Sequence, residues 1–298
     1  MMVRPASFEF NLQTAGSNVF QSQASSSQNF SALAIEEFNA MLDTLEAHDI
    51  DVKVFDDLLT PSKPDAVFPN NWVSFHADGK VILYPMMAEN RRIERRTDII
   101  DALRKDFSIS EVIDLSNHEM QGHFLEGTGS VVFDHTAKIA YACRSPRTHE
   151  HLVQNLSTTL GYKPIIFDAL DENKNAIYHT NVMMCVGRKF AVVCLDSILQ
   201  ESDQDVLLGS LASTSHQVVA ISFAQMRAFA GNMIEVQTRA GDPVVLLSER
   251  AYQSLLPGQI NAIGQHAELL PLKINTIEDL GGGSVRCMVA GIHLPKLK

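Results

Sequence analysis

A chain of 298 residues, 45% apolar and 20% charged, has the composition of a soluble globular protein with a sizeable core. Its net charge of -11 argues against nucleic acid, whose phosphates need a surplus of Lys and Arg. No apolar run is long enough to span a bilayer, and the opening MMVRPASFEF lacks the apolar stretch of a secretion signal. The expectation is a cytoplasmic protein with reduced thiols and no membrane partner.

In chain order, MMVRPASF reads as a strand and NLQTAGSNVFQSQASSSQNF as a polar surface loop, expected to act as a flap over a site. SALAIEEFNAMLDTLEAHD reads as a helix and DVKVFDD as a strand. NWVSFHADGKVILYPM is two apolar runs around Asp78-Gly79, a hairpin signal, followed by the helix pattern ENRRIERRTDIIDALRKDF and the strand EVIDL. The same hairpin, helix and strand return in GSVVFDHTAKIAYAC, RTHEHLVQNLSTTLG and PIIFDAL. They return again in NVMMCVGRKFAVVCL, SDQDVLLGSLAST and QVVAISF. A fourth round is NMIEVQTRAGDPVVLLS, ERAYQSLLPGQINAIGQHA and ELLPLKI. A fifth hairpin starts at CMVAGIHLP, and its missing half is supplied by the first strand, helix and strand of the chain. Five ββαβ units, with hairpins opening near Trp72, Ser130, Val182, Met233 and Cys287, recur at intervals of roughly 50 to 60 residues. Repeats that join their first and last strands make a ring, so residues 1–298 are expected to form a single domain.

In such a ring, the segment before each hairpin occupies an equivalent corner facing the centre. These segments are FPNNW, LEGTGS, YHTNV, FAGNM and GGGSVRC. They bring Asn70, Asn71, Glu126, His179, Asn181, Asn232 and Cys287 together. A thiol needs activation to thiolate, a base must move protons, and a third group must orient the base. Taken singly, each residue has a bland alternative: a satisfied structural histidine, a turn-capping glutamate, a phosphate cradle in Gly281 to Ser284. No Gly-Lys-Ser/Thr follows those glycines, and three coincidences at equivalent corners are harder to accept than one site. Cys143, Cys185 and Cys194 lie in apolar strands and read as core filler, and no Cys-x-x-Cys pair suggests zinc.

GGGSVRCM, YHTN and LEG, with FPNN, YPMMAENRRIE and CRSPRT in the same order, resemble the guanidine-modifying superfamily of arginine deiminases, dimethylarginine dimethylaminohydrolases and amidinotransferases. The resemblance implies a five-bladed α/β propeller, the pentein fold. It also implies Cys287 as nucleophile, His179 as general acid/base and Glu126 as its partner. Arg91 and Arg147 would hold an amino-acid carboxylate, a task suited to a planar guanidinium; on residue chemistry alone Arg91, among Arg92, Arg95 and Arg96, fits a solvated helix face equally well.

The chain departs from the deiminase pattern in its acids. Asn71 and Asn181 stand where deiminases carry carboxylates, and EGTG replaces EGGD, with Gly129 at the third acid. Amides offer donors and an acceptor but no countercharge, which suits a neutral ureido group better than a cationic guanidinium. The chain is most similar to the citrulline utilization hydrolases, which implies cleavage of citrulline to ornithine, ammonia and carbon dioxide through a thiocarbamate, with no metal or organic cofactor. The alternatives are an arginine or methylarginine deiminase and, from another class, a non-catalytic ligand-binding ring. The substrate expected is a small amino acid, and a homo-oligomer is left open.

Overall fold

The computed structural model describes residues 1–22 and 29–297. Its strands fall into five small sheets. β1 (Met2–Arg4) and β2 (Val54–Asp56) pair in parallel, joined through the helix Phe30–Ala47. The other sheets are three-stranded: β3 (Val73–Phe75), β4 (Lys80–Leu83) and β5 (Glu111–Asp114); β6 (Val132–Asp134), β7 (Ile139–Cys143) and β8 (Lys163–Phe167). Then come β9 (Met184–Val186), β10 (Phe190–Val193) and β11 (Gln217–Ala220), and β12 (Ile234–Gln237), β13 (Pro243–Ser248) and β14 (Glu268–Leu272).

In each three-stranded sheet the middle strand runs antiparallel to the strand before it and parallel to the strand after it. Chain connectivity imposes this. A tight turn can return only an antiparallel strand, whereas a parallel neighbour needs a crossover, here helical. Asp78-Gly79 makes such a turn: Gly79 adopts a φ of +84° and its N–H donates to His76 O at 3.0 Å. The crossovers contain Thr97–Leu103, Glu150–Leu160, Glu201–Ser213 and the pair Glu249–Ser254 and Pro257–Gly264.

Two expected helices are broken. The 249–267 pattern stops at Leu255 and Leu256, because the ring of Pro257 disfavours helical backbone in the residue before it, and Leu256 is extended at φ -74°, ψ 152°. The 89–107 pattern splits into Glu89–Arg92 and Thr97–Leu103, with Arg96 extended between them.

Every residue of β7 and β10 is buried, which explains their unalternating sequences IAYAC and FAVV. Tyr141, Phe167, Phe190, Val192 and Leu247, from three neighbouring sheets, share one apolar cluster. Each such aliphatic or phenyl side chain contributes about 1.5–3 kcal/mol relative to exposure. The termini meet: the Met1 amino group donates to Ala290 O at 2.8 Å, and Ala290 N–H donates to Met1 O at 3.0 Å. Phe75 and Ile292 form a parallel bridge beside them.

The strand expected to start at Cys287 does not form there. Cys287 and Met288 donate their N–H groups three residues back, to Ser284 and Val285, so pairing begins only at Ala290. Three of the other expected corners are likewise single helical turns, Pro69–Asn71, Gly127–Ser130 and Thr180–Met183, each leading directly into the first strand of its unit. No helix among the described residues is long and apolar enough to cross a membrane.

Candidate active site

The helix Asn275–Gly281 ends at Gly282, whose φ of +62° is left-handed, and the chain then turns to present Cys287. A Cβ at Gly281 or Gly283 would lie 2.7 or 3.0 Å from the Phe68 ring, so bare glycine backbone is what lets Phe68 pack there. Ser284 Oγ donates to Glu278 Oε1 at 2.6 Å and holds the turn. Cys287 is 4% exposed, and its sulfur faces two amides: Asn232 Nδ2 at 3.3 Å and Asn181 Nδ2 at 3.5 Å. Asn232 is fixed at both ends, accepting the Arg286 N–H at 3.1 Å and donating to Asn181 O at 2.9 Å.

The other thiols are different. Burial pushes Cys143 and Cys194 up to about 11 and Cys185 up to about 12, which keeps them protonated.

His179 precedes the turn Thr180–Met183, and its Nε2 lies 2.9 Å from Glu126 Oε2. Glu126 is wholly buried. It also accepts from Met87 N–H at 3.0 Å and from Arg147 Nη1 at 3.4 Å. Burial raises the Glu126 pKa, but Arg147 and then the His179 hydrogen bond more than offset this, leaving the carboxyl well below the usual range. Burial brings His179 down to about 4 although Glu126 pulls the other way. A neutral His179 beside an ionised carboxylate donates from Nε2, which leaves Nδ1 as the basic atom.

Gly129 makes room for that atom: a Cβ there would sit 2.7 Å from His179 Nδ1 and 2.4 Å from Asn71 Nδ2. The missing acid of the EGGD pattern is therefore a steric requirement of this arrangement.

Asn71 Oδ1 accepts from Arg91 Nη1 at 2.9 Å, and its Nδ2 reaches Glu126 O at 3.5 Å. Arg91 is committed further, to both Glu94 carboxylate oxygens at 2.9 and 2.8 Å, and lies 3.6 Å from Asp65. These contacts leave Arg91 anchoring Asn71 while it lines the cavity at Cys287. Burial raises Asp65, and it brings Glu94 up to about 7 against the pull of Arg91. Arg147 reaches Ser17 Oγ at 2.6 Å and Thr14 O at 3.1 Å, and lies over the Tyr178 ring at 5.0 Å. Asn70 is buried, but its side-chain amide finds no partner among the described residues and does not line the cavity.

The first part of the polar loop covers this cluster. Asn18 Nδ2 donates to Gly281 O and Gly282 O at 3.3 and 3.2 Å, Gln21 Nε2 donates to Leu280 O at 3.1 Å, and Phe20 packs against Tyr178 and Phe229. The rest of the expected flap, residues 23–28, lies outside the described residues. The cavity at Cys287 measures about 10 Å³, room for one water. Sequence alone does not single out Asp65, Glu94, Tyr178, Thr14 or Ser17. The spacing of Arg91 and Glu94, one helical turn apart, was the one signal available for any of them.

The sequence matches, over residues 4–294, the family described as N,N dimethylarginine dimethylhydrolase, eukaryotic. The chain belongs to that family. It is a hydrolase acting on carbon–nitrogen bonds, among the guanidine-modifying enzymes. No curated protein sequence matches it. Its α/β fold is that of pentein-type structures. ArgZ, described as an arginine dihydrolase from the ornithine-ammonia cycle in cyanobacteria, aligns with a TM-score of 0.71 at 16% identity over 96% of this chain and 39% of its own. The present chain thus spans well under half of that protein. The N-terminal domain of ArgZ bound to substrate aligns with a TM-score of 0.70 at 14% identity, over 96% of this chain and 95% of the domain. DDAH from Pseudomonas aeruginosa complexed with citrulline aligns with a TM-score of 0.64 at 15% identity, over 99% of this chain and 97% of that one.

Proposed function

We propose that the chain is a single catalytic unit, a five-bladed propeller closed where Met1 meets Ala290, that hydrolyses the ureido group of citrulline. The Cys287 thiol gives its proton to His179 Nδ1 as Sγ bonds to the ureido carbon, and His179 passes that proton to the departing amine as the C–N bond breaks. Negative charge developing on the ureido oxygen is met by amide donors of the centre. His179 then takes a proton from water, which attacks the thiocarbamate and frees Cys287. Loss of carbon dioxide and the second amine completes ornithine, ammonia and carbon dioxide. The reaction calls on no metal or organic cofactor. For an amino acid to enter, the Asn11–Ser22 segment must lift. Lifting removes Thr14 and Ser17 from Arg147 and frees that guanidinium for the substrate carboxylate.

The observation that carries this reading is the pairing of charge around Cys287. Glu126 is engaged by Arg147 and His179, Glu94 by Arg91, and the groups on the sulfur are the amides of Asn181 and Asn232. A neutral ureido group enters without upsetting that balance, whereas a guanidinium must shed its hydration for partners already taken. One group favours a second reading, arginine or a methylarginine as substrate. Asp65 lines the cavity, and its Oδ1 has no hydrogen-bond partner among the described residues, so it is available to a guanidinium N–H. Incubation with citrulline, arginine and dimethylarginine, with ammonia and ornithine followed, decides between them. Ornithine from citrulline, with arginine processed poorly, is the expected result; preference for arginine would transfer the assignment to Asp65 and the guanidino reading.

A further inference from the structure

Two segments outside the catalytic cluster bring imidazoles together. His123, His149 and His151 each offer one ring nitrogen, and these nitrogens lie within 4.8 Å of one another. The His123 and His149 rings are 4.0 Å apart between centroids, and His118 stands 6.2 Å from His151. Nδ1 of His118, His123 and His149 is in each case buried with no hydrogen-bond partner among the described residues. The neighbouring acids do not serve these rings: Glu119 is paired with Arg92 and Arg95, and Glu150 with Arg144. His151 Nε2 lies 2.9 Å from Asn155 Nδ2; three imidazole nitrogens this close, with a buried unpartnered Nδ1 on the His123 and His149 rings, form a set that a cation satisfies.

We propose that His123, His149 and His151 bind a divalent transition-metal ion of the zinc type, with His118 or water as fourth ligand. An all-imidazole donor set suits zinc, copper or nickel rather than calcium or magnesium, which take oxygen. Metal–nitrogen bonds of about 2.0–2.1 Å in a tetrahedron place nitrogens about 3.4 Å apart, within reach of side-chain rotation from the present spacing. The ion does no chemistry on the substrate. His123 lies three residues before Glu126 and His149 two after Arg147. The same segments are already laced by Glu126 N–H to Arg147 O at 3.3 Å and His149 N–H to Phe124 O at 2.8 Å. The metal therefore clamps the two loops that carry the Glu126–Arg147 pair.

The test uses untagged Cys287→Ala protein stripped with chelator, so that metal held by the reactive thiol is not counted. Zn²⁺ titrated calorimetrically should bind at one equivalent, and Co²⁺ should give the visible absorption of a tetrahedral nitrogen site. His151 is exposed on its helix, so adding His151→Ala leaves folding intact; it should weaken Zn²⁺ binding roughly a hundredfold or more, as should adding His123→Ala. Absence of Zn²⁺ binding to the Cys287→Ala protein would overturn the proposal, and so would equal affinity in the His151→Ala variant.

Discussion

Two cavities adjoin at the dipeptide Arg286-Cys287, and they differ in almost every respect. The one at Cys287 holds about 10 Å³ under the Asn11–Ser22 segment. The other, about 420 Å³, is bounded by β3, β6, β9 and β12, by Arg286 and by Ala290–His293. Each has a cysteine. Cys185 in the large cavity is pushed up to about 12 by burial, whereas Cys287 in the small one faces two amide N–H donors. Each has histidines. His76 and His293 are driven down to about 4 and His135 to about 2, chiefly by burial, but His76 is held by Ser74 and His135 by Tyr162, neither by a carboxylate. His179 alone in this comparison has an ionised, buried Glu126 behind it. Free volume marks where something could fit; the chemistry lies where nucleophile, base and orienting acid are wired together.

Exchanging the thiols breaks the comparison most directly. Cys287→Ala should lower turnover by roughly 10⁴-fold or more, the scale seen when a nucleophile is removed. Cys185→Ala, in the roomier cavity, should remain near the native rate. Ammonia release by the two purified variants is the measurement, and an active Cys287→Ala protein would end the assignment. Next in size is Gly129→Ala. Its Cβ would displace both His179 Nδ1 and Asn71, and misplacement of a catalytic group on that scale costs about a hundredfold in kcat. Gly161→Ala, where a Cβ meets nothing within 4 Å but φ is +71°, is the control that carries backbone strain without touching the site.

The unit pattern was legible because it is written in apolar runs, turns and amphipathic helices, all local signals. Regular spacing then located the corners, and with them Cys287, His179, Glu126, Asn181 and Asn232. What sequence did not reveal is set by partners distant along the chain. Asp65 matters because Arg91 lies 3.6 Å from it, and no local pattern says which arginine so distant an acid will meet. The Cys287 segment departs from its expected strand for an opposite cause: CMVAGIHLP has strand-like residues, but the glycines before it release the backbone into a turn that consumes its first N–H groups.

Substrate charge is tested more cleanly at Asn181 than at Asn71. A carboxylate at position 71 would pair with Arg91, which already donates to that side chain. Asn181 Oδ1 is buried without a partner among the described residues, so Asn181→Asp adds a bare negative charge beside the sulfur. Citrulline turnover should fall about ten- to a hundredfold, the worth of about 1.5–3 kcal/mol in the transition state, while arginine gains relative to it. Relative kcat/KM for the two substrates is the readout, and an unchanged ratio would remove substrate charge from the argument.

The smallest effect is in acid, and its sign follows from His179. A histidine whose folded pKa lies near 4, against about 6.5 unfolded, binds its proton in the unfolded chain first as pH falls. Stability is therefore lost between about pH 6.5 and 4, at up to about 1.4 kcal/mol per pH unit for a fully titrating group. Glu126, whose folded pKa is depressed, adds a loss in the same direction, but only below the ordinary carboxylate value of 4.5. Between about pH 6.5 and 4.5 the buried histidines, His76, His135 and His293 of the large cavity beside His179, lower stability as pH falls, while Glu94 and Glu278, both raised to about 7, pull the other way. His179→Gln should flatten the pH dependence of unfolding in that window by one proton's worth while abolishing activity; His293→Gln should flatten it similarly and leave activity in place. The native enzyme, while folded, should keep its basic Nδ1 and hence its kcat/KM down to about pH 4–5. An activity limb at the ordinary histidine value, in protein still folded there, would show that burial does not hold His179 down or that the base is another group.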